Sequence, residues 1–258
     1  MISRNKKMND HNQLLNSIFF PRPTFKPKDE KDHLVEVEKD VYVSVRFFLK
    51  DTSFPSILFF HGNAELSNEY DEIASYYNKY EINFIVADYR GYGLSSGSPT
   101  KNNLHSDSKT IFSYVQSYLF ENNYLNKKIV MGRSLGSASA SEIIFNQKCD
   151  IDGCIIESGF GTETPLMNIL GIKPEDIGYK TKDGFENLKK ISNYDGPLFI
   201  IHADQDDIIP LDEAKLMYNN SKSNKKELWV IDNANHNNIL MHAQNQYFIR
   251  IKKFIDEL

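Results

Sequence analysis

The chain has 258 residues, a length that suits one sizeable domain with a single core better than two domains. Hydrophobic residues make up 40% of the sequence and charged residues 25%, as in ordinary globular proteins. A formal net charge of −5 excludes a basic surface field of the kind that holds nucleic acid, so we predict no nucleic-acid partner.

The sequence gives little sign of a membrane-spanning segment or of a secretory signal. No stretch approaches the roughly 20 apolar residues of a membrane-spanning helix, although peripheral contact with a membrane stays open. Basic residues near the start are not followed by the apolar stretch of a secretory signal. The two cysteines, Cys149 and Cys154, are too few for a disulfide framework, and a cytoplasmic location is therefore predicted.

The first part of the chain is predicted to lie over a domain rather than to form one. Residues 1–32 are mostly polar and contain the proline-punctuated segment Phe19-Phe20-Pro21-Arg22-Pro23, which favours an extended lead-in. The catalytic domain is then predicted to span residues 33–258. Residues 34–38 and 41–47 alternate apolar and polar side chains, as antiparallel strands with one wet face do.

A different pattern follows, in which short runs of apolar residues are not interrupted by polar residues. Such runs suit strands covered on both faces of a parallel sheet, and they occupy residues 57–60, 84–87, 129–131, 154–156, 198–201 and 228–231. Helical patterns lie between or after them, at residues 68–80, 103–121, 135–147, 211–220 and 239–258. The order predicts an α/β protein with a mostly parallel eight-stranded sheet and helices on both faces. One connection, residues 159–187, is longer than needed and is predicted to form a short cap.

The motif Gly132-Arg133-Ser134-Leu135-Gly136 directly follows a predicted strand and precedes a helix. A sharp strand-to-helix turn at this place would hold the serine hydroxyl clear of the sheet, with glycines where the chain packs closely. The amide of Leu135 would then face a developing negative charge. A plain tight turn with an exposed serine is the alternative, and the strand and helix on either side disfavour it.

A serine nucleophile needs a base and an acid that orients the base. His236 lies in a polar loop after the last strand, and three carboxylates, Asp204, Asp206 and Asp207, follow the strand before it. Both loops lie at carboxyl ends of strands, where catalytic side chains converge in open α/β sheets. Spacing does not rank the three carboxylates. The competing histidines are His61, His105, His202 and His242.

The segment His61-Gly62-Asn63-Ala64 follows another predicted strand. The glycine lets the chain turn back across the site, so that the amide of Asn63 can donate a second hydrogen bond beside Leu135. An ordinary turn at a strand end is the alternative. The three histidines His61, His202 and His236 lack the spacing of a helical metal site, and we predict neither a metal nor a cofactor.

Five blocks of the sequence together resemble the α/β-hydrolase superfamily, and in particular its compact single-domain serine hydrolases, which include the α/β-hydrolase-domain protein depalmitoylases. The blocks are Phe19-Phe20-Pro21, residues 61–65, residues 88–97 with Pro99-Thr100, residues 132–137, and residues 206–210 with 235–237. The resemblance implies an α/β-hydrolase fold, Asp206 as the catalytic acid and His236 as the catalytic base. It also implies structural roles for Tyr89 and Arg90 in a loop that shapes the pocket floor.

Two departures weaken the link to membrane-anchored depalmitoylases. The N-terminal cysteine cluster of those proteins is missing, and Gly159 stands where they usually have proline. Neither departure affects the three catalytic positions.

The predicted function is hydrolysis of an ester or thioester, in a small molecule or an acylated protein, through an acyl-enzyme on Ser134. The cap contains an apolar cluster, Leu166, Met167, Ile169, Leu170 and Ile172, that suits a cover over the acyl pocket. Leu166, Met167 and Leu170 are predicted to line the pocket, although a surface helix over the core is the commoner meaning of such a stripe. A small-peptide peptidase and a catalytically silent binding module remain as alternatives, and the oligomeric state is not predicted.

Overall fold

The protein is described here by a computed structural model that covers residues 14–146 and 150–258. Eight strands form one sheet in the order β1-β2-β4-β3-β5-β6-β7-β8. They are β1 (Asp32–Glu38), β2 (Val41–Phe48), β3 (Ser56–Phe60), β4 (Asn83–Ala87), β5 (Lys128–Arg133), β6 (Gly153–Glu157), β7 (Leu198–Ala203) and β8 (Lys226–Ile231). The first two strands pair antiparallel, β2 pairs antiparallel with β4, and all other pairs are parallel. The predicted sheet is confirmed.

Eight helices flank the sheet in the part of the chain that follows β3. They are α1 (Asp71–Lys79), α2 (Lys101–Glu121), α3 (Gly136–Asn146), α4 (Thr164–Ile169), α5 (Asn187–Ser192), α6 (Leu211–Asn220), α7 (Ile239–Ala243) and α8 (Asn245–Asp256). Short 3₁₀ turns occur at Ser67–Tyr70, Pro174–Ile177 and Thr181–Asp183. Thr100 begins α2, because its side chain accepts the Asn103 amide and replaces a missing helical partner.

The core has two halves, one on each face of the sheet. Alternate residues of one strand enter different halves: Leu58 and Phe60 of β3 pack on the side of α2 and α3, and Ile57 and Phe59 pack on the side of α1 and α8. Helices therefore cover both faces, which explains why the central strands are apolar without alternation.

Several element boundaries differ from the sequence-based expectation. The last helical pattern is divided into α7 and α8 at Gln244, whose φ of 49° lies in the left-handed region and ends α7. Helix α5 was not predicted. The predicted end of the helix at 135–147 and the residue Cys149 lie outside the described residues.

The described part of the lead-in packs on the domain. Leu15, Ile18 and Phe19 are buried in the core half that contains α2 and α3, and Pro23 forms a bridge with Gly93. The division into a lead-in of residues 1–32 and a catalytic domain of residues 33–258 stays a prediction. In the described residues, no helix combines the length and apolarity needed to cross a bilayer.

Candidate active site

The elbow at Ser134 joins β5 to α3 by the sharp turn that the motif predicts. Ser134 has a φ of 51°, a left-handed value that is costly for a residue with a side chain. A Cβ at Gly132 would collide with the backbone of Gly136, and a Cβ at Gly136 would collide with the carbonyl of Phe60. The two glycines therefore let the turn close and β3 pass beside it.

Parallel pairing brings four loops to the carboxyl edge of the sheet beside this elbow. Phe60 at the end of β3 pairs with Gly132, and Arg133 at the end of β5 pairs with Glu157 of β6. Ala203 at the end of β7 pairs with Ile231 of β8. The chain after each of these strands consequently starts at the same edge, which is how residues far apart in sequence meet.

Ser134, His236 and Asp206 form one chain of hydrogen bonds at this edge. His236 Nε2 lies 3.0 Å from Ser134 Oγ, and His236 Nδ1 lies 2.7 Å from Asp206 Oδ2. All three residues are buried, with 5–7% of each exposed. This geometry can hold the imidazole with one nitrogen toward the hydroxyl and the other toward the carboxylate.

Asp206 is the one of the three predicted carboxylates that reaches His236. Its Oδ1 accepts the amides of Ile208 at 3.0 Å and Ile209 at 2.8 Å, which leaves Oδ2 for the imidazole. Burial raises the pKa of Asp206, but the hydrogen bond and charge of His236 lower it further, so that the carboxyl is held ionised. Asp204 and Asp207 are exposed to solvent.

The competing histidines lie elsewhere. His202 Nε2 donates to the Ile209 carbonyl at 2.8 Å, and this contact supports the loop that carries Asp206. His105 is packed beside Lys190, and burial followed by the Lys190 charge lowers its pKa to about 3. His242 is exposed on α7. Across the described ranges, no three His, Cys, Asp or Glu residues are grouped as a metal ion would require.

His61 supports the loop after β3. Its Nδ1 lies 2.7 Å from the Gly62 carbonyl and its Nε2 lies 3.1 Å from Asp88 Oδ1. Both neighbours are acceptors, so the arrangement favours an imidazole that is protonated at both ring nitrogens. Burial lowers the pKa of His61, but Asp88, Glu65 and the Gly62 carbonyl together raise it further, and the net pKa is above the ordinary value of 6.5.

A small depression lies directly at Ser134. It has a volume of about 50 Å³ and is lined by Ile18, Phe20, Asn63, Ser134, Leu135, Leu166, Ile169 and Leu170. The amides of Asn63 and Leu135 donate to no acceptor among the residues described, which leaves both available to a ligand. Each predicted oxyanion donor thus borders the same depression as the serine.

Two of the three predicted pocket residues line the depression, and the third does not. Leu166 and Leu170 line the depression, whereas Met167 is fully buried in the core and is not part of the lining. Successive helical residues point about 100° apart, so Leu166, Ile169 and Leu170 share one side of this segment and Met167 points about 160° away from Ile169. Ile18, Phe20 and Ile169 complete the apolar lining. Ile169 belongs to the predicted cap cluster, whereas Ile18 and Phe20 were not predicted. The sequence signal for this role was that Ile18 and Phe20 are apolar residues two positions apart in a segment predicted to be extended.

Arg133, which the sequence analysis did not single out, connects three parts of the site. Its guanidinium donates to the carbonyl of His236 at 2.8 Å and to Glu157 at 3.2 Å, and it pairs with Glu65. Glu65 in turn accepts the Gly62 amide at 2.8 Å. Burial lowers the pKa of Arg133, but the charges of Glu65 and Glu157 raise it further, so the cation is retained.

A cavity of about 300 Å³ adjoins this ion-pair network and is larger than the depression at Ser134. It is lined by Glu65, Tyr70, Arg133, Glu157 and His236 among others, but not by Ser134. We therefore place the candidate reaction site at the smaller depression, because a nucleophile must touch the group that it attacks.

The fold is that of the α/β-hydrolase superfamily, and the chain is similar in sequence to members of that superfamily. The family model described as serine aminopeptidase, S33 matches residues 53–175.

Among curated proteins, the chain is related to α/β-hydrolase domain-containing protein 17C of Xenopus tropicalis. The two are 29% identical over 206 residues, which cover 78% of this chain and 61% of the frog protein, less than two thirds of its length. Human protein 17B is 27% identical over 208 residues, with 78% and 66% of the respective chains covered.

Solved structures support the fold. The esterase Pf2001 of Pyrococcus furiosus superposes with a TM-score of 0.73 at 19% identity, covering 92% of this chain and 98% of the esterase. Est1E of Butyrivibrio proteoclasticus, solved with ferulic acid bound, gives a TM-score of 0.71 at 18% identity, with 87% and 98% covered.

Proposed function

We propose that the protein is a serine hydrolase that cleaves carboxylic esters or thioesters through an acyl-enzyme on Ser134. The observation that carries the proposal is the hydrogen-bonded chain Ser134–His236–Asp206 at the carboxyl edge of the sheet. A serine at a strained elbow with such a base and such an acid has the parts that nucleophilic catalysis needs.

The reaction has two steps, acylation and deacylation, and His236 transfers the proton in both. His236 removes the proton of Ser134 as Oγ bonds to the substrate carbonyl carbon, and it then gives that proton to the departing alcohol or thiol. Water next loses a proton to His236 and attacks the acyl-enzyme, and the proton returns to Oγ as the acid leaves. Asp206, ionised beside the imidazole, favours the charged imidazole that exists between these transfers.

The oxyanion of each tetrahedral intermediate is proposed to accept the amides of Asn63 and Leu135. Both border the depression with Ser134 and lack a protein acceptor in the described structure. Removing one such donor typically costs about two to three orders of magnitude in turnover, so the two amides are worth several kcal/mol of transition-state stabilisation.

The apolar lining favours an acyl group as the part of the substrate that enters the depression. Two structural neighbours are named as an esterase and a monoacylglycerol lipase, and ester chemistry on this fold agrees with that lining. The substrate is proposed to be a small ester or an acylated protein. The cytoplasmic location inferred from the two cysteines stays a prediction.

Peptide cleavage is the second candidate, because the matching family model is described as serine aminopeptidase. A site for a free amino terminus needs a carboxylate to pair with the ammonium group. The lining of the depression at Ser134 includes no carboxylate among the residues described. The ester and thioester hypothesis therefore has the better support.

Turnover of matched substrates tests the proposal. We expect wild-type protein to hydrolyse p-nitrophenyl acetate and an acetyl thioester, with far slower release of p-nitroaniline from an aminoacyl anilide. Ser134→Ala should reduce ester turnover to background. Faster cleavage of the anilide than of both acyl substrates would favour the peptidase, and a folded protein without Ser134-dependent turnover would favour the binding module.

A further inference from the structure

The depression at Ser134 lies between two segments that are not part of the sheet. One side is formed by Leu166, Ile169 and Leu170, in or next to helix α4, and the other by Ile18 and Phe20 of the lead-in. Ile18 is 5% exposed, and Phe20 is 56% exposed. Ile18 therefore belongs to the inner end of this lead-in wall, and Phe20 belongs to its rim.

The lead-in wall is held in place by the side chain of Asn63. Its Oδ1 accepts the Phe20 amide at 3.0 Å, and its Nδ2 donates to the Ile18 carbonyl at 2.5 Å. Tyr92 Oη adds a hydrogen bond to Asn63 Oδ1 at 2.7 Å and accepts from the Phe20 amide at 2.9 Å. Both peptide groups of the wall are thus fixed to the residue whose own amide borders Ser134.

Further contacts fix the chain just beyond Phe20. Arg22 donates to the Ala64 carbonyl at 2.7 Å, and its carbonyl accepts the Gly93 amide at 2.9 Å. The Thr24 amide donates to the Gly93 carbonyl at 3.0 Å. The wall is thus anchored beside the depression by hydrogen bonds to the loops that follow β3 and β4.

The volume that the wall leaves is small. Pockets for drug-sized ligands measure about 300–1,000 Å³, whereas this depression measures about 50 Å³. A long acyl chain cannot enter a space of this size unless the wall is removed.

We propose that Ile18 and Phe20 determine acyl-chain selectivity, restricting the enzyme to short acyl groups. This proposal rests on the proposed function, since it assumes that an acyl group occupies the depression. Shortening the rim at Phe20 enlarges the depression on the side that faces Ile169, which is itself 57% exposed and can contact a longer chain. Each additional buried methylene contributes up to about fourfold to kcat/KM.

The test compares p-nitrophenyl acetate, butyrate and octanoate, each below its aggregation limit, as substrates of wild-type protein and three variants. Phe20→Ala shortens the rim, and Ile18→Val enlarges the inner end by one methyl group. Phe25→Ala is the matched control, because Phe25 belongs to the same segment, is 99% exposed and does not line the depression. Circular dichroism and thermal unfolding establish that each variant is folded.

Wild-type protein is expected to hydrolyse acetate and butyrate with the highest kcat/KM. The octanoate-to-butyrate ratio should rise at least tenfold in Phe20→Ala and two- to fourfold in Ile18→Val, and should stay within twofold in Phe25→Ala. A wild-type preference for octanoate, or a ratio unchanged in folded Phe20→Ala, overturns the proposal. Absence of ester turnover together with absence of covalent labelling at Ser134 counts instead against the proposed function, which is how the two failures are told apart.

Discussion

At the scale of single residues, the acid of the site is distinguished by its surroundings. Asp204, Asp206 and Asp207 have the same side chain within four positions, and spacing alone does not separate them. In the folded chain Asp206 is buried, bound by two backbone amides and aligned with His236, while the other two face solvent. An ionised carboxylate in that place fixes the tautomer of the base.

Asp206→Asn is expected to lower kcat for p-nitrophenyl acetate by about 10⁴-fold, since the amide keeps the shape but favours the wrong imidazole tautomer. Asp204→Asn and Asp207→Asn are the matched controls from the same loop. Steady-state kinetics at pH 7.5 measures all three. A loss in either control as large as the loss in Asp206→Asn would show that the acid is misassigned.

Residue patterns could place Ser134, His236 and the two proposed amide donors at one edge of the sheet, because each belongs to a local motif at a strand end. They could not predict Arg133 as a connecting residue. Its partners Glu65 and Glu157 lie 68 and 24 positions away, and only strand pairing brings them together. They also assigned Met167 to the pocket, because an apolar stripe does not say which side of a short helix faces the core.

At the scale of elements, Arg133 couples the elbow to the loops on either side. It contacts the backbone of His236 directly and reaches Gly62 through Glu65. The loops that carry the candidate base and the candidate oxyanion donor are consequently connected through one buried cation. A change in that cation should affect stability and turnover together.

Arg133→Met is expected to destabilise the fold by about 3–5 kcal/mol, because Glu65 and Glu157 are left without their shared cation. Adding Glu65→Gln should recover part of that loss, since one buried charge is then removed. Urea unfolding at pH 7 measures the double-mutant cycle. The control Lys215→Met removes an exposed ion pair with Asp212, and it should cost no more than about 1 kcal/mol. Strict additivity of the Arg133 and Glu65 changes would contradict the coupling.

Most elements were predictable from hydrophobic patterning, and the exceptions have identifiable causes. Gln244 divides the last helix although neither glycine nor proline is present there, so the sequence carries no local signal for the break. The prolines of the lead-in predict an extended segment. Its place beside Ser134 depends on Asn63 and Tyr92, two residues far along the chain, and no local pattern reveals such contacts.

At the scale of the whole molecule, a buried charge connects stability to pH. His61 and Asp88 are completely buried at the ends of neighbouring parallel strands, and each ring nitrogen of His61 contacts an acceptor, which favours the charged imidazole. Its raised folded pKa means that the folded protein holds a proton which the unfolded chain releases near pH 6.5. The stabilisation is therefore complete below pH 6.5 and is lost as the pH rises through the folded pKa.

We expect the free energy of unfolding to fall with pH above 6.5 by up to about 1.4 kcal/mol per pH unit from this one group. Urea unfolding between pH 6 and pH 9 measures the slope. His61→Gln should be less stable at pH 6 and should show a flatter slope, while His242→Gln, which alters an exposed histidine, should follow the wild type. An identical slope in His61→Gln would exclude the charged imidazole.

The central claim is that Ser134 is the nucleophile, and covalent labelling tests it most directly. Wild-type protein is treated with a fluorophosphonate, its intact mass is measured by mass spectrometry, and it is then digested to locate the adduct. We expect one adduct per chain, on Ser134, with none in Ser134→Ala and much slower labelling in His236→Ala. An adduct that persists in Ser134→Ala, or that lies on another serine of the folded wild-type protein, would contradict the assignment.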